Sequence, residues 1–201
     1  MNLSERRAGA YVDSLADVGR RIEVWGPGGE SLPFDQGVEQ AMRIISVAAQ
    51  SGRRLFFVGN GGSAAIASHM ATDYTKNGGM RAQAFNDASL LTCLGNDLGY
   101  PRVFAFPIER FADPGDVVIA ISSSGQSDNI VVAADAAAGQ GCRVISLSGF
   151  TTANRLRAIG DLRFYVPSFE YGQVEILHLV ICHCVLDNLM ARQGRTAASR
   201  E

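Results

Sequence analysis

The run Ser122-Ser123-Ser124-Gly125-Gln126-Ser127 is built to bind a phosphate group without a lysine. It follows the apolar stretch Val117-Val118-Ile119-Ala120-Ile121 and leads into a helix-like segment from Asp128 to Gly139. A strand, a hydroxyl-rich turn and a helix N-terminus in that order offer short O–H donors, a close backbone at Gly125, and unpaired N–H groups backed by the helix dipole. Ser127 alone would read as an ordinary N-cap. A second loop of the same kind, Gly59-Asn60-Gly61-Gly62-Ser63, lies between the strand-like run Leu55-Phe56-Phe57-Val58 and a helical pattern starting near Ala64. Gly59, Gly61 and Ala64 satisfy the G-x-G-x-x-A spacing of dinucleotide-binding units. The acidic residue that such a unit needs about 20 positions further on is not found, since Asp87 arrives later and opens a helix-like segment. A ligand with one phosphate and many hydroxyls, a sugar phosphate, suits two anion-friendly loops better.

The three histidines all fall on two helical segments that could carry proton chemistry. His69 and Asp73 are four residues apart and share a helix face. Glu175, His178 and His183 lie on the last helix, and at about 100° per residue Glu175 points between the two histidines. The two histidines therefore do not serve one site equally, and Glu175 with either of them is the working unit. Each residue taken singly could be a core histidine or half of a helix ion pair. A phosphate socket in the same small domain favours the functional reading.

The elements that position these residues follow from pattern. Residues 3–24 read as a helix, Trp25-Gly26-Pro27-Gly28-Gly29 breaks it, and a second helix spans 35–51. Strand-like runs recur near 54–58, 82–86, 117–121, 142–147 and 162–166, with helical segments between most of them. This predicts an α/β fold with a five-stranded parallel sheet covered by helices on both faces. The last helix runs from Gly172 to Arg192, and the tail at 194–201 reads as frayed.

At 201 residues and 47% hydrophobic content the chain can bury a full core as one domain with an N-terminal appendage. A net charge of -2 gives no basic field for nucleic acid, and no run of 18 or more apolar residues marks a membrane span. Met1-Asn2-Leu3-Ser4-Glu5 does not open a signal peptide. Cys93, Cys142, Cys182 and Cys184 lack C-x-x-C spacing and sit among apolar neighbours, which reads as reduced, buried thiols in a cytoplasmic protein.

Several of these motifs together resemble the sugar isomerase (SIS) family, and within it the phosphoheptose isomerases. They are Gly59-Asn60-Gly61-Gly62-Ser63-Ala64, the helix Ala67-Ser68-His69-Met70-Ala71-Thr72-Asp73, Gly95-Asn96-Asp97 with Tyr100, Ile121 to Ser127, and Glu175-Ile176-Leu177-His178 with His183. The resemblance implies a three-layer SIS-type fold, with residues 1–52 as N-terminal helices contributing to oligomerisation and 53–193 as the sugar-phosphate-binding domain. It implies conversion of sedoheptulose 7-phosphate to a glycero-manno-heptose 7-phosphate through an enediol, in a homotetramer with active sites between subunits and zinc in several members. Matched positions assign substrate binding to Asn60, Gly61, Ser63, Asp97, Ser122, Ser123, Ser124 and Ser127. They assign catalysis to Asp73, Glu175 and His183, and a metal site to His69, Asp73, Glu175 and His183. Two positions depart from the family: Asp73 stands where these isomerases carry a glutamate, and Glu175 where they carry a glutamine. The base is thus Asp73 or Glu175. Two other uses of the same fold remain in view, a non-catalytic SIS protein that binds a protein such as a replication initiator, and a sugar-phosphate-sensing module.

Overall fold

A computed structural model describes residues 8–194. The start of the first expected helix and most of the expected frayed tail lie outside the described residues. In chain order the elements are α1 (Ala8–Gly19), β1 (Glu23–Trp25), β2 (Ser31–Leu32), α2 (Phe34–Gln50), β3 (Arg54–Gly59), α3 (Gly62–Lys76), β4 (Arg81–Ala84) and α4 (Ala88–Asp97). There follow a 3₁₀ turn at Tyr100–Arg102, α5 (Ala105–Phe111), β5 (Val117–Ser122), α6 (Asp128–Gly139), β6 (Arg143–Gly149), a second 3₁₀ turn at Leu156–Ala158, β7 (Leu162–Val166) and α7 (Tyr171–Arg192).

The sheet has seven strands in the order β2-β1-β7-β6-β5-β3-β4, which corrects the expected five. The five expected strands are mutually parallel, while β1 pairs antiparallel with both β7 and β2. The first helix stops at Gly19, and Glu23–Trp25 goes to the sheet edge, where Val24 is fully buried against α2. Burial of Val24 and pairing with β7 outweigh helical propensity there.

The central strands β3 and β5 are apolar on both faces. In β3, Leu55 and Phe57 join the core packed by α2, α3 and α7, while Phe56 and Val58 join the core packed by α4, α5 and α6. Full burial of such a side chain contributes about 1.5–3 kcal/mol, so the two cores together fix the strand order and the helix faces. Helix α7 is long and apolar enough to cross a membrane by length and composition alone. Half of that stretch is buried here, against α2, α3 and the sheet, as a core helix would be. Of the cysteines, Cys142 and Cys182 are buried as expected, but Cys93 is exposed and Cys184 half-buried.

Candidate active site

The chain leaves β3 towards β4 and leaves β5 towards β6, in opposite directions across the sheet. A crevice opens outside the carboxyl ends of strands at such a point. The glycine loop after β3 and the serine loop after β5 face each other there. A cavity of about 220 Å³ lies between them, lined by Asn60, Gly61, Gly62, Ser63, Ser122, Ser123, Ser124, Ser127, Tyr171 and Glu175. A larger cavity of about 640 Å³ sits at the other end of the sheet beside Arg43, Val47, Gly115 and Arg143, away from the residues that carry chemistry.

The serine loop is held open by its own hydrogen bonds. The Gly125 N–H donates to Ser122 Oγ at 3.1 Å, the Gln126 N–H to Ser124 Oγ at 3.2 Å, and Ser122 Oγ to Ser127 Oγ at 3.3 Å. Gly125 has φ +63, and a Cβ there would lie 2.1 Å from Asn154 Oδ1, so only glycine fits. Ser127 occupies the N-cap position of α6 without capping it, which leaves its O–H for a ligand. Ser123 Oγ is buried with no hydrogen-bond partner among the described residues.

Across the crevice, Asn60 is oriented by two residues that the sequence did not single out as binding groups. Asn129, buried in the first turn of α6, exchanges a pair of amide hydrogen bonds with it, and the Tyr100 hydroxyl donates to Asn60 Oδ1 at 3.1 Å. Tyr100 belongs to the motif that carries the resemblance. Asn129 lies within the helix-like segment from Asp128 to Gly139 and carries no signal of its own in the sequence. Tyr171, one residue before the expected start of the last helix, is the first residue of α7 and also lines the cavity.

The acid–base residues divide into two groups. His69 Nε2 and His183 Nε2 are 3.2 Å apart, and Asp73 Oδ2 is 3.5 Å from His69 Nε2, all on the packed pair α3 and α7. One ligand atom from each of the three residues falls within 4.8 Å of the other two. Ligands at about 2.0–2.1 Å around a tetrahedral zinc are about 3.3 Å apart, so two imidazoles and a carboxylate in this arrangement fit such an ion. Glu175 is not part of this cluster. Its carboxylate lies over Gly62, where a Cβ would meet its oxygens at 2.4–2.6 Å, and it lines the cavity between the two loops instead. Eight residues apart on one helix, Glu175 and His183 are separated by about 12 Å of axis.

His178 is fully buried, and its Nε2–H donates to the Ser148 carbonyl at 3.1 Å. Burial pushes its pKa down to about 4, so the ring is neutral and structural. Of the two histidines on α7, His183 is therefore the one at the site. Asp97 ends α4 on the surface outside the cavity, where it accepts hydrogen bonds from Asn96 Nδ2 at 2.8 Å and Cys93 Sγ at 3.5 Å. Its carboxylate raises the Cys93 thiol above its ordinary pKa.

The sequence matches the SIS domain family over residues 34–149. It is 34% identical over 156 residues to the phosphoheptose isomerase of Citrifermentans bemidjiense, covering 75% of this chain and 81% of that one. It is 39% identical over 150 residues to the phosphoheptose isomerase of Geobacter sulfurreducens, covering 72% and 79%. The solved structure of phosphoheptose isomerase from Neisseria gonorrhoeae superposes with a TM-score of 0.80 at 27% identity, covering 94% of this chain and 99% of that one. Sequence and fold thus lead to one assignment: the chain belongs to the SIS domain family, in the group of the phosphoheptose isomerases.

Proposed function

We propose that this protein is an aldose–ketose isomerase that converts sedoheptulose 7-phosphate to a glycero-manno-heptose 7-phosphate in the cytoplasm. The observation that carries this reading is the presence of the Glu175 carboxylate and the serine loop in one small cavity at the strand ends. Ser63, Ser122, Ser123, Ser124 and Ser127 hold the phosphate, and the remaining N–H of Asn60 binds an oxygen of the sugar. Binding at the phosphate end is remote from the reacting carbons and serves to orient them. Glu175, which reaches into the cavity, takes a proton from C1 of the ketose to give the enediol and returns it to C2, while Asp73 is engaged with His69. His183 exchanges a proton with the substrate oxygens, as general acid and then base. His69, Asp73 and His183 would hold zinc, which as a Lewis acid supplies stabilisation of enediolate charge.

The separation of Glu175 from His183, with the exposed apolar Ile176 and Val180 between them on α7, supports a homotetramer in which neighbouring chains complete each other's sites. Light scattering at micromolar concentration should give four times the chain mass of 21.4 kDa. Activity is tested by incubating the protein with sedoheptulose 7-phosphate, with and without added zinc, and following the sugar by NMR. Appearance of the aldose supports the reading. A ketose left unchanged in both incubations would overturn it.

A further inference from the structure

Three aromatic rings meet beside the phosphate socket. Phe150, directly after β6, stacks on Phe169 with ring centroids 6.0 Å apart and meets Tyr171 edge-on at 4.7 Å. Tyr171 lines the same cavity as Ser122, Ser124 and Glu175. Phe169 and Tyr171 are 74% and 63% exposed, so the core of the chain does not use them. Phe150 is the one non-glycine residue at positive φ among the described residues, at +59. The Tyr165 hydroxyl donates to its carbonyl at 2.8 Å, and its own N–H donates to the Ser168 carbonyl at 3.0 Å, which together hold it in that conformation. A bulky side chain kept in an unfavourable backbone conformation at the rim of a site has a positioning task.

The socket itself offers hydroxyls, amides and one carboxylate. These suit a phosphate and the oxygens of a sugar, while for its C–H groups the lining supplies only the Ile121 side chain and the Tyr171 ring. Aromatic faces carry negative charge density and accept polarised C–H groups, and binding pockets combine such surfaces with a few placed polar groups.

We propose that Phe150, Phe169 and Tyr171 form an aromatic wall that takes the C–H face of the sugar whose phosphate the serine loop holds. The inference rests on the sugar-phosphate reading above and adds the surface that separates a sugar phosphate from phosphate alone. Tyr171 sets the inner edge of the wall, Phe169 its outer face, and Phe150 fixes the angle between them.

Calorimetry with two probes, inorganic phosphate and sedoheptulose 7-phosphate, tests the wall. Both Phe169 and Tyr171 are exposed enough to be replaced without loss of the fold, and Phe150→Gly suits the backbone but removes a ring packed against the core, so its circular dichroism spectrum is checked first. Phe169→Ala combined with Tyr171→Ala should weaken the sugar phosphate by about tenfold and leave inorganic phosphate unchanged. Phe150→Gly should act in the same direction, and Tyr171→Phe should keep wild-type binding. Equal losses for both probes, or a Tyr171→Phe variant as weak as the double variant, would overturn the wall. So would a change in oligomer mass with the preference for the sugar intact, which would make the rings a subunit contact. A wild type that binds inorganic phosphate but no sugar phosphate would overturn the proposed function itself.

Discussion

Asn60 and Asn129 exchange two side-chain hydrogen bonds of 2.8 Å each, clasping the loop after β3 to the first turn of α6 across the crevice. With Oδ1 of Asn60 also accepting from Tyr100, its amide presents one N–H and no acceptor to the cavity. Asn129→Ala breaks both bonds and frees the Asn60 amide to rotate. Affinity for the sugar phosphate should fall roughly tenfold, about 1.4 kcal/mol, with the circular dichroism spectrum unchanged. Wild-type affinity in that variant would show that the clasp does not set the loop.

The unpaired Ser123 hydroxyl gives a prediction with opposite signs for folding and binding. Without a ligand, Ser123→Ala removes a buried polar group that has no partner, and stability should stay level or rise by up to about 1 kcal/mol. With a phosphorylated ligand the variant lacks a hydrogen bond to a charged group, worth about 1.5–3 kcal/mol. Melting curves and calorimetry on the same sample read both. A lower melting temperature with unchanged affinity would make Ser123 a structural hydroxyl.

His178 links stability to pH. Its pKa is about 4 in the fold against 6.5 for the free side chain, because burial disfavours the imidazolium. Between these values the unfolded chain binds the additional proton, so stability rises with pH through that window and is lost as pH falls from about 6.5 towards 4. The full contribution is about 3 kcal/mol. Urea titrations at pH 7 and pH 4.5 should show this loss, and His178→Gln should reduce the difference between the two pH values. An identical pH dependence in the variant would exclude His178 as its source.

Gly62 leaves room for the Glu175 carboxylate, since a Cβ there would lie 2.4–2.6 Å from its oxygens. Gly62→Ala favours the helix by propensity but pushes the carboxylate away. Turnover should drop roughly a hundredfold, as displacement of a reacting group by about 1 Å can do, while the melting temperature holds or rises. Retained turnover would mean that Glu175 does not need its present position.

The sheet centre was legible because β3, β5, β6 and β7 are short apolar runs bounded by turns, and both anion loops follow such runs directly. The antiparallel pair beyond β7 was not. β1 and β2 have three and two residues in a segment rich in glycine and proline, too short for any periodicity to show. Helical spacing did place His69 with Asp73, and it kept His178 and His183 from sharing one site. Which of the two is buried depends on the packing of α7 against β6, where His178 meets the Ser148 carbonyl. Asn129 was hidden for a similar reason: its partner is 69 residues away, and only the order of β3 and β5 brings them together.

The central claim is that Glu175 and His183 move a proton on a sugar phosphate held by the serine loop. Exchange of solvent deuterium into the carbon beside the carbonyl of bound sedoheptulose 7-phosphate, followed by NMR, reports that step without requiring product release. The wild type should exchange. Glu175→Gln should lose exchange by at least about a hundredfold while keeping its affinity for the sugar phosphate, and His183→Ala should lose it as well. Exchange at the wild-type rate in Glu175→Gln would contradict its assignment as the base. No exchange in the wild type with any five-, six- or seven-carbon ketose phosphate, with or without zinc, would contradict the account as a whole.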